Sequence, residues 1–221
     1  MDAYFCTIDG ITRKQLKPYE HFLPQERLLK AQNCLRDYAY CQTVCSFLLL
    51  GQVICSRLNL SIDSLCFSID RYGKPYIDNA EIDFSISHTK GAVACMIDHV
   101  CAGIDVESTL RTIGNNLWER FFCKEEIEYI NSCADKSSAF IRLWTSKEAY
   151  LKALGTGLTR SLSSFSILPS KEGYRLTDSF SDKLELIIRS ASFEDYTVSA
   201  VGTSDFDIVK IDFNDILNFY K

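Results

Sequence analysis

One order of elements occurs twice along these 221 residues, and it narrows the possible folds more than composition does. The first pass reads as a strand at Tyr4–Ile8, then helices, then strands at Leu65–Ile69, Ile82–Ser87 and Ala92–Ile97. Its long helix, about Arg36–Leu58, sets Tyr40, Val44, Phe47, Leu48, Gly51 and Ile54 at helical spacing. The second pass opens with a strand at Cys101–Val106 and continues through helices around Asn115–Phe122 and Lys124–Cys133. A long helix at about Ser137–Leu154 follows, with Phe140, Leu143, Trp144, Leu151 and Leu154 on its apolar stripe. Gly155 and Gly157 end it, since glycine accepts the left-handed backbone of a helix C-terminus. Strands are expected near Leu162–Leu168, Leu184–Arg189, Tyr196–Val201 and Ile208–Phe213. The expected fold is α+β in two similar halves, residues 1–100 and 101–221, the second with a C-terminal extension. Ligands favour such a junction.

Charge and composition narrow the partners. The net charge is −5 and no basic patch stands out, which argues against a nucleic-acid partner. Met1-Asp2-Ala3-Tyr4 lacks the basic-then-apolar pattern of a secretory signal, and the apolar run Phe47-Leu48-Leu49-Leu50 is far short of a membrane span. Ten cysteines include no Cys-x-x-Cys pair, so they are expected to be reduced thiols in a cytoplasm, most acting as small core hydrophobes.

Four segments carry chemistry. In Gly103-Ile104-Asp105-Val106-Glu107, strand alternation sends Ile104 and Val106 to one face and both carboxylates to the other. Such a pair is unfavourable unless a cation or basic group lies between its members. Trp144-Thr145-Ser146-Lys147-Glu148-Ala149-Tyr150-Leu151-Lys152 is helical, and positions 145, 148 and 152 are expected on one stripe. Glu148 and Lys152 suit a surface ion pair worth a few tenths of a kcal/mol. Together with Asp105 and Glu107, however, Glu148 completes an all-oxygen donor set for a hard cation such as Mg2+. Gly73-Lys74-Pro75 is a turn allowing close backbone approach, and Ser87-His88-Thr89-Lys90-Gly91 a loop rich in groups that suit phosphate.

In this order the four segments resemble the Sfp-type 4′-phosphopantetheinyl transferases, whose pattern runs Gly-Lys-Pro, Ser-His, Gly-x-Asp-x-Glu, Trp-x-x-Lys-Glu-x-x-x-Lys. The likeness is close over about residues 70–168 and extends to the flanks only in element order. It implies a monomer with halves related by pseudo-twofold symmetry and coenzyme A between them. It further implies that Asp105, Glu107 and Glu148 hold Mg2+ against the pyrophosphate, and that Lys152 and Lys147 look toward phosphates. Ser87 and His88 would meet phosphate groups, the Gly73–Pro75 turn would hold adenine, and Glu126 would help position a metal-bound water. One departure stands out. The family's arginine on the first long helix, which helps hold the 3′-phosphate, is missing from Val44–Gly51, and Arg27, Lys30 and Arg36 are the substitutes on offer.

The implied reaction is attack by a serine hydroxyl of an apo acyl or peptidyl carrier protein on the phosphate bearing pantetheine, releasing 3′,5′-ADP. The base is Glu148 or a water on the metal. Arg111, Arg120, Phe121 and Lys124 are the expected carrier-docking residues. Two rival readings fit less well: a magnesium nuclease or phosphatase needs neither the Gly-Lys-Pro turn nor the Ser-His loop, and the intact carboxylates argue against an inactive carrier-binding protein.

Overall fold

The computed structural model describes residues 2–111, 117–156, 160–178 and 184–221. Strand β1 (Asp2–Thr7) leads through one helical turn, α1 (Arg13–Leu16), to helix α2 (Gln25–Gln32) and the long helix α3 (Asp37–Leu58). Strands β2 (Phe67–Ile69) and β3 (Pro75–Ile77) form one hairpin, β4 (Asp83–Thr89) and β5 (Ala92–Asp98) another. The second half holds β6 (Gly103–Ser108), α4 (Lys124–Ser132) and α5 (Lys136–Ala153). It continues with β7 (Ser166–Ser170), β8 (Gly173–Thr177), β9 (Ile187–Phe193), β10 (Tyr196–Gly202), β11 (Asp207–Lys210) and α6 (Phe213–Phe219). The fold is α+β.

The structure departs from the sequence reading in a few places. Leu162–Ser164 is a 3-10 turn, and the strand near it begins only at Ser166. Its partner β8 was not expected; Gly173, with φ +121°, turns the chain between them. Ile208–Phe213 alternates like one strand but is divided. Asp212 accepts a hydrogen bond from Asn214 N at 2.7 Å and starts α6 at Phe213. In the expected 115–122 helix, Leu117–Arg120 is a 3-10 turn, while Asn115 lies outside the described residues. Gly155 has φ +68° and ends α5 as anticipated; Gly157 lies outside the described residues.

Four layers stack as helix, sheet, sheet, helix. Helix α3 is buried without a break from Tyr40 to Gly51, as suits a helix that is apolar all round. By length and hydropathy it is the one helix among the described residues able to cross a membrane, but 83% of its apolar 18-residue stretch is buried inside the molecule. It packs on the sheet β11-β1-β5-β4 through Cys6, Ile8, Val93, Cys95 and Ile97. The other face of that sheet meets β6-β10-β9 through small residues, Ala3, Ala92, Ala94 and Ala200, around Phe5, Ile104 and Val106. Helix α5 covers the far side through Ala149, Tyr150 and Ala153. All ten cysteines are free thiols, and six of them are buried. The last strand does not stay with its own half: β11 pairs in parallel with β1, and Tyr220 beyond α6 donates to Leu48 O of α3 at 2.8 Å.

The two sheets meet edge to edge at β4 and β6, where side chains replace backbone pairing. Alternate residues of β4 accept the N–H groups of Ala102, just before β6, and of alternate residues of β6. Asp83 Oδ2 takes Ala102 N (2.8 Å), Ser85 Oγ takes Ile104 N (3.1 Å) and Ser87 Oγ takes Val106 N (3.4 Å). These bonds satisfy buried donors that would otherwise be orphaned.

Candidate active site

A cavity of about 730 Å³ opens across this seam. Phe47 and Leu50 of α3, Phe67 of β2, and Phe84 and Ile86 of β4 form its apolar wall. Phe47 meets Phe67 edge-on at 5.3 Å and Phe67 meets Phe84 likewise at 6.2 Å. Sequence reasoning expected these strands and this helix but missed the wall, because nothing local says that segments so far apart in the chain turn their apolar residues to one cavity. The turn between β2 and β3 was legible: Asp70 Oδ1 accepts Tyr72 N and Lys74 N, both at 2.8 Å, and Gly73 sits at φ +87°. Gly73 and Pro75 border the cavity. Lys74 is turned elsewhere, pairing with Asp83 at 2.5 Å on the seam.

The remaining walls are charged. Asp105 and Glu107 come from β6, on the face opposite core residues Ile104 and Val106, as alternation required. Glu148 and Lys152 come from α5. Gly103 is what lets the two elements approach: a Cβ there would overlap the Ala149 carbonyl oxygen and lie 2.6 Å from Ala153 N. The stripe of α5 facing the cavity is Trp144, Glu148 and Lys152, four residues apart. The expected 145–148–152 stripe is corrected by this phase. Thr145 is fully buried and shares a 2.7 Å hydrogen bond with Ser199 of β10.

Lys147 and Glu126 are also corrected. Neither lines the cavity, because residue 147 lies about 100° around the helix from residue 148. Their side chains are wholly buried. Lys147 Nζ donates to Glu126 Oε1 (2.5 Å), Glu126 Oε2 (2.6 Å) and Phe165 O (2.7 Å). Glu126 further accepts Cys123 N (3.0 Å) and Ile167 N (2.9 Å), so its oxygens are filled with no water-positioning role open to them. The pair ties α4 and β7 to α5.

Cations face the carboxylates. Arg27 and Lys30 of α2 and His88 of β4 line the cavity; Arg36 does not, and bonds Tyr38 Oη instead. Arg27 is held on α3, where Nε donates to Thr43 O (3.1 Å) and Nη2 to Ser46 Oγ (2.6 Å). The guanidinium thus lies against the first long helix although its residue comes from another. Burial lowers its pKa to about 10. Burial, Arg27, Lys152 and Lys30 together push His88 below the usual histidine range. Of the expected docking residues, Arg111 pairs with Glu107 at 3.2 Å and Phe121 packs edge-on against Trp144 at 5.3 Å, so each touches a residue of the cavity wall without lining it. Arg120 lies over the Phe121 ring at 5.9 Å. Lys124 lines a separate depression.

The carboxylates repel one another. Burial, then the Asp105 charge, raises the pKa of both Glu107 and Glu148. Glu148 makes no hydrogen bond or ion pair among the described residues. Asp105 Oδ1 accepts Lys152 Nζ (2.7 Å) and Ser87 Oγ (2.8 Å), while Oδ2 is buried with no partner. Among the described residues, no three such side chains converge tightly enough to cage an ion as they stand. The donor set nonetheless suits a hard dication: a buried orphan oxygen and two carboxylates of raised pKa are what such a charge would relieve.

Comparison with known proteins places this arrangement. Residues 101–201 match the family described as the 4′-phosphopantetheinyl transferase superfamily. The transferase Sfp of Bacillus subtilis is 29% identical over 166 residues, covering 74% of each chain. The chain is similar to the Sfp-type 4′-phosphopantetheinyl transferases. Another such transferase, gsp of Aneurinibacillus migulanus, is 37% identical over 120 residues, 53% of this chain and 50% of that protein. The chain therefore spans about half of one such relative and three quarters of another. A holo-(acyl-carrier-protein) synthase from Bacillus anthracis, solved with coenzyme A (3′,5′-ADP), is 21% identical at a TM-score of 0.42, over 46% of this chain and 93% of that one.

Proposed function

We propose that this transferase moves the 4′-phosphopantetheine group of coenzyme A to a serine of an apo carrier protein, with Mg2+ as cofactor and 3′,5′-ADP as leaving group. The observation that carries this is the division of one cavity. Asp105, Glu107 and Glu148 stand on one side, Arg27, Lys30 and His88 on another, and an apolar wall beside the Gly73–Pro75 turn completes it. A dinucleotide-like ligand with an adenine, a pyrophosphate and a separate phosphate fits these three environments.

In this reading the Phe47, Phe67 and Phe84 wall and the Gly73–Pro75 turn take adenine. Arg27, Lys30 and His88 take the 3′-phosphate, with Arg27 standing in for the arginine absent from α3. Asp105, Glu107 and Glu148 hold Mg2+, which supplies charge neutralisation at the pyrophosphate when bound. Lys152 adds a fixed positive charge beside the same phosphates. Glu148 or a water beside it accepts the proton of the attacking serine. The new bond joins serine oxygen to the phosphorus bearing pantetheine, and the pyrophosphate P–O bond breaks. Arg111 and Phe121 at the rim dock the carrier, whose acidic surface suits the arginine. The halves 1–100 and 101–221 share the ligand between them in a monomer.

The test is direct. The protein is incubated with coenzyme A, Mg2+ and apo carriers, and the carrier's intact mass is followed. A gain of one phosphopantetheine that EDTA abolishes and Mg2+ restores is expected; an unchanged mass across acyl and peptidyl carriers would overturn the proposal.

A further inference from the structure

We infer that Ser87 is a positioning residue: its hydroxyl fixes the Asp105 carboxylate so that Oδ1 stays with the protein and Oδ2 is left for the cation. The inference rests on the reading of Asp105 as a cation ligand. A serine hydroxyl has one hydrogen and two lone pairs. The hydrogen goes to Asp105 Oδ1 at 2.8 Å, and Val106 N donates to the oxygen at 3.4 Å. With its only hydrogen engaged in a buried site, Ser87 has none to offer a phosphate, the role the Ser-His pattern suggested for it. Lys152 Nζ holds the same Oδ1 at 2.7 Å, so two donors saturate one oxygen while Oδ2 has none. Outer partners of this kind orient metal-binding carboxylates.

Ser85 supplies the control. It is equally buried and accepts Ile104 N at 3.1 Å in the same seam, without a bond to Asp105. A merely structural role would give S85A and S87A the same phenotype. The measurement is Mn2+ binding to the protein–coenzyme A complex, with free Mn2+ counted by its EPR signal. Coenzyme A affinity in EDTA is measured separately by calorimetry.

Ser87→Ala should weaken Mn2+ binding by roughly 10- to 100-fold, the range for losing such an outer partner. S85A and S87T should bind Mn2+ as the wild type does, and all variants should keep their coenzyme A affinity in EDTA. If S87A does not fold, S87C, whose thiol is a weak donor, should show the same loss. Unchanged Mn2+ affinity in S87A or S87C overturns the inference. So does a matching loss of coenzyme A affinity in EDTA, which would hand the hydroxyl to a phosphate. A wild type that holds no more Mn2+ than coenzyme A alone removes Asp105 as a ligand, and the inference goes with it.

Discussion

Lys147 and Lys152 are carried by one helix, yet only the second reaches the cavity. Lys152 bonds Asp105 Oδ1 and Ile104 O from a partly exposed position, whereas the Lys147 side chain is wholly buried. Lys152→Ala should therefore lower turnover about 10²-fold or more, by analogy with removing one preorganised donor. Its thermal melt should stay near that of the wild type. Carrier-modification rates beside melting curves check this, and a stable mutant of normal rate would remove Lys152 from the mechanism. His88 sets a pH dependence. Its folded pKa lies below the ordinary 6.5, so its contribution to stability is full above that pH and is lost as pH falls through the range below it. A phosphate beside the ring, among Arg27, Lys30 and Lys152, reverses the shift. Coenzyme A binding near pH 6 should then take up a proton, read by calorimetry in buffers of different ionisation enthalpy and absent in H88Q. Asp105 and Glu107 were legible because alternation on a strand with an apolar face leaves one choice of side. Lys147 was not: neighbouring charged residues on a helix diverge by about 100°, and sequence does not say which one the core takes.

At the scale of elements, the approach of β6 to α5 rests on one missing methyl group. Gly103→Ala forces a Cβ into the Ala149 carbonyl, and overpacking of this kind costs typically 1–3 kcal/mol. Chemical denaturation should show that loss, and transfer activity should fall as β6 withdraws from Glu148. The junction of α4, α5 and β7 depends on the Glu126–Lys147 pair. Glu126→Gln strands a buried ammonium and should destabilise the protein by about 3–5 kcal/mol, measured by urea unfolding. The long helices and most strands could be read from periodicity. The seam could not, because Ser85 and Ser87 look like the polar face of an ordinary strand until β6 is seen beside it. The β11–α6 boundary was blurred for a related reason: Ile208–Phe213 keeps period-two alternation through the cap at Asp212.

For the whole molecule, the cavity draws on α2, α3, β2, β4, β6 and α5, so a ligand there braces both sheets. Coenzyme A that binds only the folded protein should add about 2.7 kcal/mol at a hundredfold excess over Kd. The melting temperature should rise accordingly, and an absent shift at saturation would count against the cavity as the coenzyme A site. Element order suggests a division into 1–100 and 101–221, but the return of β11 to β1 was not legible, since short parallel pairing between distant segments leaves no local pattern.

That return has a consequence for synthesis. Asp2 pairs with Asp207, so the outer edge of β1 has no strand beside it until about two hundred further residues have been made. At 5–20 residues per second that interval is on the order of ten to forty seconds. Throughout it the nascent chain presents an open β edge, the kind of surface that recruits stray strands. The ribosome-bound chain thus carries that open edge from the synthesis of β1 until β11 has emerged to close it.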